Sequence, residues 1–166
     1  MTKPLTRSVA TLLFSLSVSA SVFAAHAASR VPTDDLCAPI KAFVASVKPR
    51  ETRTLGFGTS WFNRSTSATG LGLIGRSCHH EGYELAKVAC AALLKHASTE
   101  FAGINAMRVI MCLSPGTRFA PQTELGYIAF DLSYGSSNRG QNVSVVLEKP
   151  KAAEDPRMMT IEVEGF

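Results

Sequence analysis

The side chains best suited to chemistry are His79, His80, Glu81 and Glu84, which lie at the start of a predicted helix. Histidine nitrogens and carboxylate oxygens are ligands of zinc and copper, and His80 and Glu84 would share a face if the helix began at Glu81. No His-Glu-x-x-His motif is present, and His96 lies several turns away. Polar residues that complement the helix dipole are therefore the main interpretation. A metal-binding protein or small hydrolase is the alternative.

Other catalytic signatures in the chain are weak. Gly70–Gly75 matches the pattern G-x-G-x-x-G, but a Ser/Thr-rich loop precedes it and no helix opens within it, so it does not predict a dinucleotide site. No serine lies in a G-x-S-x-G motif. Asp131 sits in an alternating apolar strand, where a solvent-facing position is expected. The sequence thus predicts no catalytic group and no cofactor, and it favours a binding protein over an enzyme.

Two exposed segments carry residue types that are common in protein interfaces. Trp61 and Phe62 are followed by Arg64 in a polar loop, and a second candidate is the hairpin tip between Tyr134 and Arg139. Tryptophan, tyrosine and arginine dominate interface hot spots, so both segments are predicted recognition sites. The alternative for Trp61 is that it completes the apolar stripe of the preceding strand.

The first residues match a secretory signal peptide. Lys3 and Arg7 form a short basic head, residues 9–23 are apolar and uncharged, and Ala25-His26-Ala27 fits a signal peptidase site. The apolar run is too short to span a bilayer. We therefore expect residues 1–27 to be removed, with a cut after Ala24 as the alternative.

Cleavage would leave residues 28–166 as a single exported domain, and the short basic head favours the periplasm. The formal charge would fall from +4 to +2, because Lys3 and Arg7 leave with the signal peptide. This charge is too small to predict binding to nucleic acid, and no later segment is apolar enough to insert into a membrane. The remaining candidate partner is another protein, such as an enzyme or a toxin.

Four cysteines, Cys37, Cys78, Cys90 and Cys112, remain in the exported domain. An even number in an oxidising compartment predicts two disulfides, and three pairings are possible. The absence of Cys-x-x-Cys argues against a redox-active pair or a zinc knuckle. We favour Cys90 with Cys112 and Cys37 with Cys78.

Hydrophobic spacing predicts two helices that position these groups. The longer spans Glu81–Ala97, with small and apolar residues on one side and charged residues on the other. The residues predicted to be buried are Ala86, Ala89, Cys90, Leu93 and Ala97. An earlier helix starts near Asp34 and ends near Lys48, and its buried stripe comprises Leu36, Ile40, Phe43, Val44 and Val47.

Alternating and β-branched segments predict the strands. Their ranges are Glu51–Trp61, Leu71–Arg76, Ala106–Leu113, Glu124–Tyr134, Gln141–Lys149 and Met158–Gly165. For Ala106–Leu113 a continued helix is the alternative. Residues 135–140 are predicted to form a hairpin loop. On the first strand, Gly56 and Gly58 leave one face bare, which indicates a bulge or another backbone lying close.

The order of elements predicts an α+β fold in which two helices pack on one face of an antiparallel sheet of four to five strands, stabilised by disulfides. In broad architecture this domain resembles periplasmic inhibitor and immunity proteins. The resemblance implies a binding protein that blocks a partner by steric contact. A structural subunit of an envelope assembly, docked through an exposed sheet edge, is a further alternative.

Overall fold

Three helices and five strands make up the part of the chain that the computed structural model describes, residues 34–60, 75–151 and 155–166. In chain order they are α1 (Cys37–Ser46), β1 (Thr52–Ser60), β2 (Gly75–His79), α2 (Glu84–His96), α3 (Ala102–Leu113), β3 (Ile128–Ser136), β4 (Arg139–Leu147) and β5 (Arg157–Gly165). The predicted signal peptide and the loop containing Trp61, Phe62 and Arg64 lie outside these residues.

The strands form one antiparallel sheet in the order β2-β1-β5-β4-β3. β3, β4 and β5 are neighbours both in the sequence and in the sheet. β1 pairs with β5, although the two strands are far apart in the sequence. Alternate residues give the sheet one apolar face, on which Leu55, Ile161 and Val145 lie side by side and fully buried. The predicted α+β fold with an antiparallel sheet is confirmed.

The helices pack on this apolar face, and α1 and α2 do so through the apolar stripes predicted from the sequence. All five apolar residues named for the first helix are buried, and so are the five named for the longer helix. Lys87 and Lys95, predicted on the opposite side of α2, are exposed. α2 begins at Glu84 rather than Glu81, because His80, Glu81 and Gly82 form a turn in which Glu81 has a positive φ of 48°.

The prediction of a strand over Ala106–Leu113 is wrong, because these residues form most of a third helix, α3. The run Val109-Ile110-Met111 has high β propensity, but burial follows a helical period through Ala102, Ala106, Val109 and Leu113. The β propensity of these residues is a weak preference, and here the packing of a helix against the core overrides it.

A buried asparagine fixes the connection between α2 and α3. Asn105 is 1% exposed; its side-chain oxygen accepts a hydrogen bond from the Ser98 amide at 2.7 Å, and its nitrogen donates to the Ser98 carbonyl at 2.9 Å. The amide therefore replaces water for both backbone groups of Ser98.

Arg108 joins the three helices. It donates to both carboxylate oxygens of Asp34, at 2.6 and 2.8 Å, and to the carbonyl oxygen of His96 at 2.6 Å. The hydrogen bonds from Arg108 hold the pKa of Asp34 below its usual range. The segment before α1, the end of α2 and the middle of α3 are thereby held together.

The four cysteines form two disulfides, but the predicted pairing is wrong. Cys37 bonds to Cys112, with Cα atoms 4.8 Å apart, and Cys78 bonds to Cys90, with Cα atoms 5.6 Å apart. The error follows from treating the segment of Cys112 as a strand. As the end of α3 it lies beside the start of α1, which leaves Cys90 on α2 to meet Cys78 on β2.

The bare face of β1 is covered by side chains instead of a bulge or another backbone. β1 pairs with both neighbours in continuous register through Gly56 and Gly58. A Cβ atom on Gly58 would lie 2.7 Å from Met158 Sδ and 2.7 Å from Ser77 Oγ. A larger residue at position 58 would therefore require the side chains of Met158 and Ser77 to shift.

Candidate functional site

Of the five predicted recognition residues, Tyr134 and Arg139 lie in the described part of the chain. The strands continue to Ser136 and restart at Arg139, so the hairpin turn is shorter than predicted and consists of residues 137 and 138. Tyr134 lies opposite Gln141 and is half-buried against the core. Arg139 is exposed at the start of β4.

The Tyr134 hydroxyl already has a protein partner. It donates a hydrogen bond to the carbonyl oxygen of Leu113 at the end of α3. Burial raises the pKa of this phenol to about 12. Tyr134 therefore links the hairpin to α3, and a cavity of about 400 Å³ beside it is lined mainly by apolar atoms of α1, the α3 end and β4.

The histidine cluster does not converge on a metal site in the described residues. His79 is the last residue of β2 and is exposed, and the ring of His80 accepts a hydrogen bond from the Gly82 amide at 3.2 Å. Because α2 starts at Glu84, His80 and Glu84 do not lie one turn apart on a helix. Residues 34–60, 75–151 and 155–166 contain no group of three His, Cys, Asp or Glu side chains that could hold a metal ion.

The weaker catalytic candidates remain dispersed. Asp131 is exposed on the outer face of the sheet, as expected. Ser133 donates to the side-chain oxygen of Asn142 at 2.7 Å rather than to a histidine. Most of the Gly70–Gly75 motif lies outside the described residues, and Gly75 itself starts β2.

A cavity of about 620 Å³ lies where the start of α3 meets the start of β5 and the end of β1. We call it the α3 cavity. Its wall comprises Thr59, Glu100–Ile104, Gln122–Gly126, Pro150, Asp155 and Arg157. This volume is within the range of pockets that bind small molecules or partner side chains.

The loop of residues 122–126 is held in place by α3 and by β5. A Cβ atom on Gly103 would lie only 2.5 Å from the Leu125 carbonyl oxygen, so the loop can approach α3 because residue 103 is glycine. Arg157 donates to the carbonyl oxygens of Leu125 and Gly126. These contacts fix one wall of the α3 cavity.

The beginning of α3 forms the opposite wall. Ser98 Oγ accepts hydrogen bonds from the backbone amides of Glu100 and Phe101, at 3.3 and 3.1 Å. Phe101 precedes the first residue of α3 and its side chain is 49% exposed, while Ile104 is 40% exposed. Two large apolar side chains therefore border the cavity and remain accessible to solvent.

A third exposed apolar side chain lies about two turns further along α3. Met111 lies seven residues after Ile104 on the same side of the helix and is 37% exposed. We call Phe101, Ile104 and Met111 the α3 stripe. Sequence reasoning missed it because the segment was assigned to a strand, although the spacing of 3 and 7 residues is a helical signal.

The described residues contribute four charged groups to the α3 cavity, namely the carboxylates of Glu100, Glu124 and Asp155 and the guanidinium of Arg157. Glu100 and Asp155 are already engaged in interactions within the protein. The Glu124 side chain makes no hydrogen bond or ion pair within the described ranges. The Thr59 side chain is only 3% exposed and lines the cavity. Arg157 Nε, in the same wall, is a buried donor without a hydrogen-bond partner among the described residues.

Among the described residues, no helix has the length and apolar character needed to cross a membrane. The two disulfides fit an extracellular or secreted protein. Comparison with known proteins finds no matching family model, no similar curated protein and no similar solved structure.

Proposed function

We propose that this chain is a small exported binding protein of the inhibitor or immunity type, which acts in the periplasm or outside the cell by contacting another protein. The observation that carries the proposal is the α3 stripe, in which Phe101, just before α3, and Ile104 and Met111 on α3 are exposed large apolar side chains. Phenylalanine and methionine are enriched in interfaces, and exposed apolar patches are typical of interaction sites. The partner would be blocked by steric contact, without a chemical step.

The disulfides support this mode of action. Cys37–Cys112 connects the start of α1 to the end of α3, and Cys78–Cys90 connects β2 to α2. Asn105 and Ser98 order the start of α3 through two further hydrogen bonds. A surface that is already ordered loses little conformational entropy on binding.

Capture of the partner by tagged protein tests the proposal. Tagged residues 28–166 would be incubated with an envelope and culture-supernatant extract of the source organism. The double substitution Phe101→Ala/Ile104→Ala should abolish stoichiometric capture of the partner, because it removes most of the α3 stripe. Truncation of central interface anchors costs about 2 kcal/mol or more each.

The matched control is Leu85→Ala/Val88→Ala on α2. These side chains are 36% and 46% exposed, close to the values of the α3 pair. The control should retain capture, and melting curves should show that all variants are folded. Equal capture by wild type and both variants would contradict the proposed surface.

A structural subunit of an envelope assembly is the second candidate function, favoured by the edge of the sheet. β3 is a nine-residue strand without lysine, arginine or proline, and within the described ranges it pairs only with β4. Unprotected edges of this kind add strands from other chains. Size-exclusion chromatography over a concentration series tests this, since strand addition between copies would give oligomers and an isolated domain would not.

A further inference from the structure

We propose that β3, at the edge of the sheet, pairs antiparallel with β3 of a second copy of this chain, with Asp131 on the two-fold axis. This inference rests on the second candidate function, in which the sheet edge docks another chain, and it identifies that chain. The pairing would join two five-stranded sheets into one. A two-fold contact of this kind closes on itself and gives a dimer instead of a filament.

The hydrogen bonds of β4 show which backbone groups of β3 face the open edge. Gly140 exchanges backbone hydrogen bonds with Phe166, at 2.9 and 3.0 Å, on the β5 side of β4. Successive residues of a strand direct these groups to opposite sides, so the odd-numbered residues of β4 bond to β3. Their partners on β3 are even-numbered. The N–H and C=O groups of Ala129, Asp131 and Ser133 therefore point outwards, and no other described strand pairs with them.

The sequence of β3 is symmetric in residue type about Asp131. Ala129 and Ser133, two positions away on either side, are small and exposed. The residues one and three positions away are apolar and half-buried against the core, namely Ile128, Phe130, Leu132 and Tyr134. A strand with this symmetry is complementary to a second copy of itself, as a two-fold interface requires.

Pairing about Asp131 uses both the backbone and the apolar side chains of the edge. Ala129 would lie opposite Ser133 of the second copy, and Asp131 would lie opposite itself, which gives about six backbone hydrogen bonds. On the core side, Phe130 would meet Leu132 of the second copy and extend the apolar layer across the dimer.

Registers shifted by two residues fit less well. In one direction Ala129 would lie opposite Gly135, whose φ of 107° departs from an extended strand. In the other direction Ser133 would lie opposite Tyr127, which precedes β3. The register centred on Asp131 is therefore the one that keeps all three outward residues paired within the strand.

The unfavourable contact in this register is between the two Asp131 carboxylates. Like charges directly opposite each other in an antiparallel pair are destabilising, but these side chains lie on the exposed outer face, where water and salt screen them. Removal of the charge should therefore strengthen the dimer. This direction of change distinguishes pairing about Asp131 from association through another surface.

Analytical ultracentrifugation of residues 28–166 over a concentration series tests the pairing. One pair of strands buries less area than a standard interface, so the series should reach about 1 mM. We expect a monomer–dimer equilibrium without larger species. Asp131→Asn should lower the dissociation constant about two- to fivefold, and added salt should reduce this difference. A monomer over the whole series, or weaker dimerisation of Asp131→Asn, would overturn the inference.

Ser133→Pro and Ser133→Ala form a matched pair of variants. Both lose the hydrogen bond from the Ser133 hydroxyl to the Asn142 side-chain oxygen, but only proline also removes the outward N–H. Because β4 does not use this N–H, the sheet should remain intact, and melting curves check that both variants fold. Proline should abolish the dimer and alanine should retain it. Equal dimerisation of the two folded variants would contradict the pairing.

Cysteine cross-linking tests the register. The two Cα atoms of residue 131 would lie about 5.5 Å apart, which is within the range of a disulfide. Mild oxidation of Asp131→Cys should thus give a covalent dimer on non-reducing electrophoresis. Ser133→Cys is the control on the same exposed face, because its two copies would lie about 13 Å apart along the paired strands. A covalent dimer of Ser133→Cys in place of Asp131→Cys would overturn the register.

The inference and the proposed functions can fail separately. If the chain stays monomeric but captures an envelope protein that is lost with Ser133→Pro, the second copy is the wrong partner and the assembly function stands. If the dimer forms and no other chain depends on the β3 edge, the inference stands and the envelope assembly is overturned. The inhibitor or immunity function is tested apart from both, by the α3 stripe.

Discussion

Removal of each disulfide should destabilise the protein by an amount set by the length of the loop that it closes. Cys37–Cys112 spans 75 residues, whereas Cys78–Cys90 spans 12. The chain-entropy relation gives about 4.5 kcal/mol for the long loop and about 2.8 kcal/mol for the short one. We therefore expect Cys37→Ala/Cys112→Ala to lose roughly 1.7 kcal/mol more than Cys78→Ala/Cys90→Ala.

The two double substitutions are well matched in packing. Each removes one nearly buried sulfur, at Cys112 or Cys90, and one partly buried sulfur, at Cys37 or Cys78. The cavities left by alanine should thus destabilise both variants similarly, and the difference should report mainly on loop closure. Urea denaturation at 25 °C, analysed with the slope of each transition, measures that difference.

A tryptic peptide map of the unreduced wild-type protein tests the pairing directly, because a lysine separates each cysteine from the next. We expect one linked peptide pair that contains Cys37 and Cys112 and another that contains Cys78 and Cys90. A link between Cys90 and Cys112, or a larger loss of stability for the short loop, would refute the reasoning.

Two further predictions concern titrating groups. Because Arg108 lowers the pKa of Asp34, this contact contributes stability above the unfolded-state pKa of about 3.9, and the contribution is lost as the pH falls through the lower folded-state value. Asp34→Asn should therefore lower the urea midpoint near neutral pH and differ less from wild type in strong acid; a constant difference would contradict this. Burial raises the pKa of Tyr134 to about 12, so its contribution to stability is present below about pH 10 and lost as the pH rises towards 12. Tyr134→Phe should remove the latest tyrosinate step in ultraviolet absorbance, and Tyr127→Phe, which changes an exposed ring, should not.

The two predicted helical stripes were predictable because their signals are local. In α2 the same residues that favour a helix also repeat with its period, so propensity and pattern agree at Ala86, Ala89 and Leu93. In α3 the two signals conflict. Val109 and Ile110 favour a strand, while the period that starts at Ala102 includes Gly103 and Asn105, which are poor helix formers in isolation.

The disulfide pairing depended on that error and on tertiary structure. Spacing alone leaves three pairings open, and the correct one requires knowing that the end of α3 packs beside the start of α1. The start of α2 was misplaced for a different reason. Glu81 adopts a left-handed conformation, which is uncommon for residues other than glycine and cannot be anticipated from helix propensity.

The α3 cavity is the feature furthest from what sequence reasoning could reach. Its carboxylates come from the segment before α3, from the loop at residues 122–126 and from the segment before β5, and none forms a motif with another. The small positive charge of the chain gives no indication of this cavity. These groups become neighbours only because the loop of residues 122–126 packs against Gly103 of α3 and is held by Arg157 of β5, and no spacing in the sequence encodes that contact.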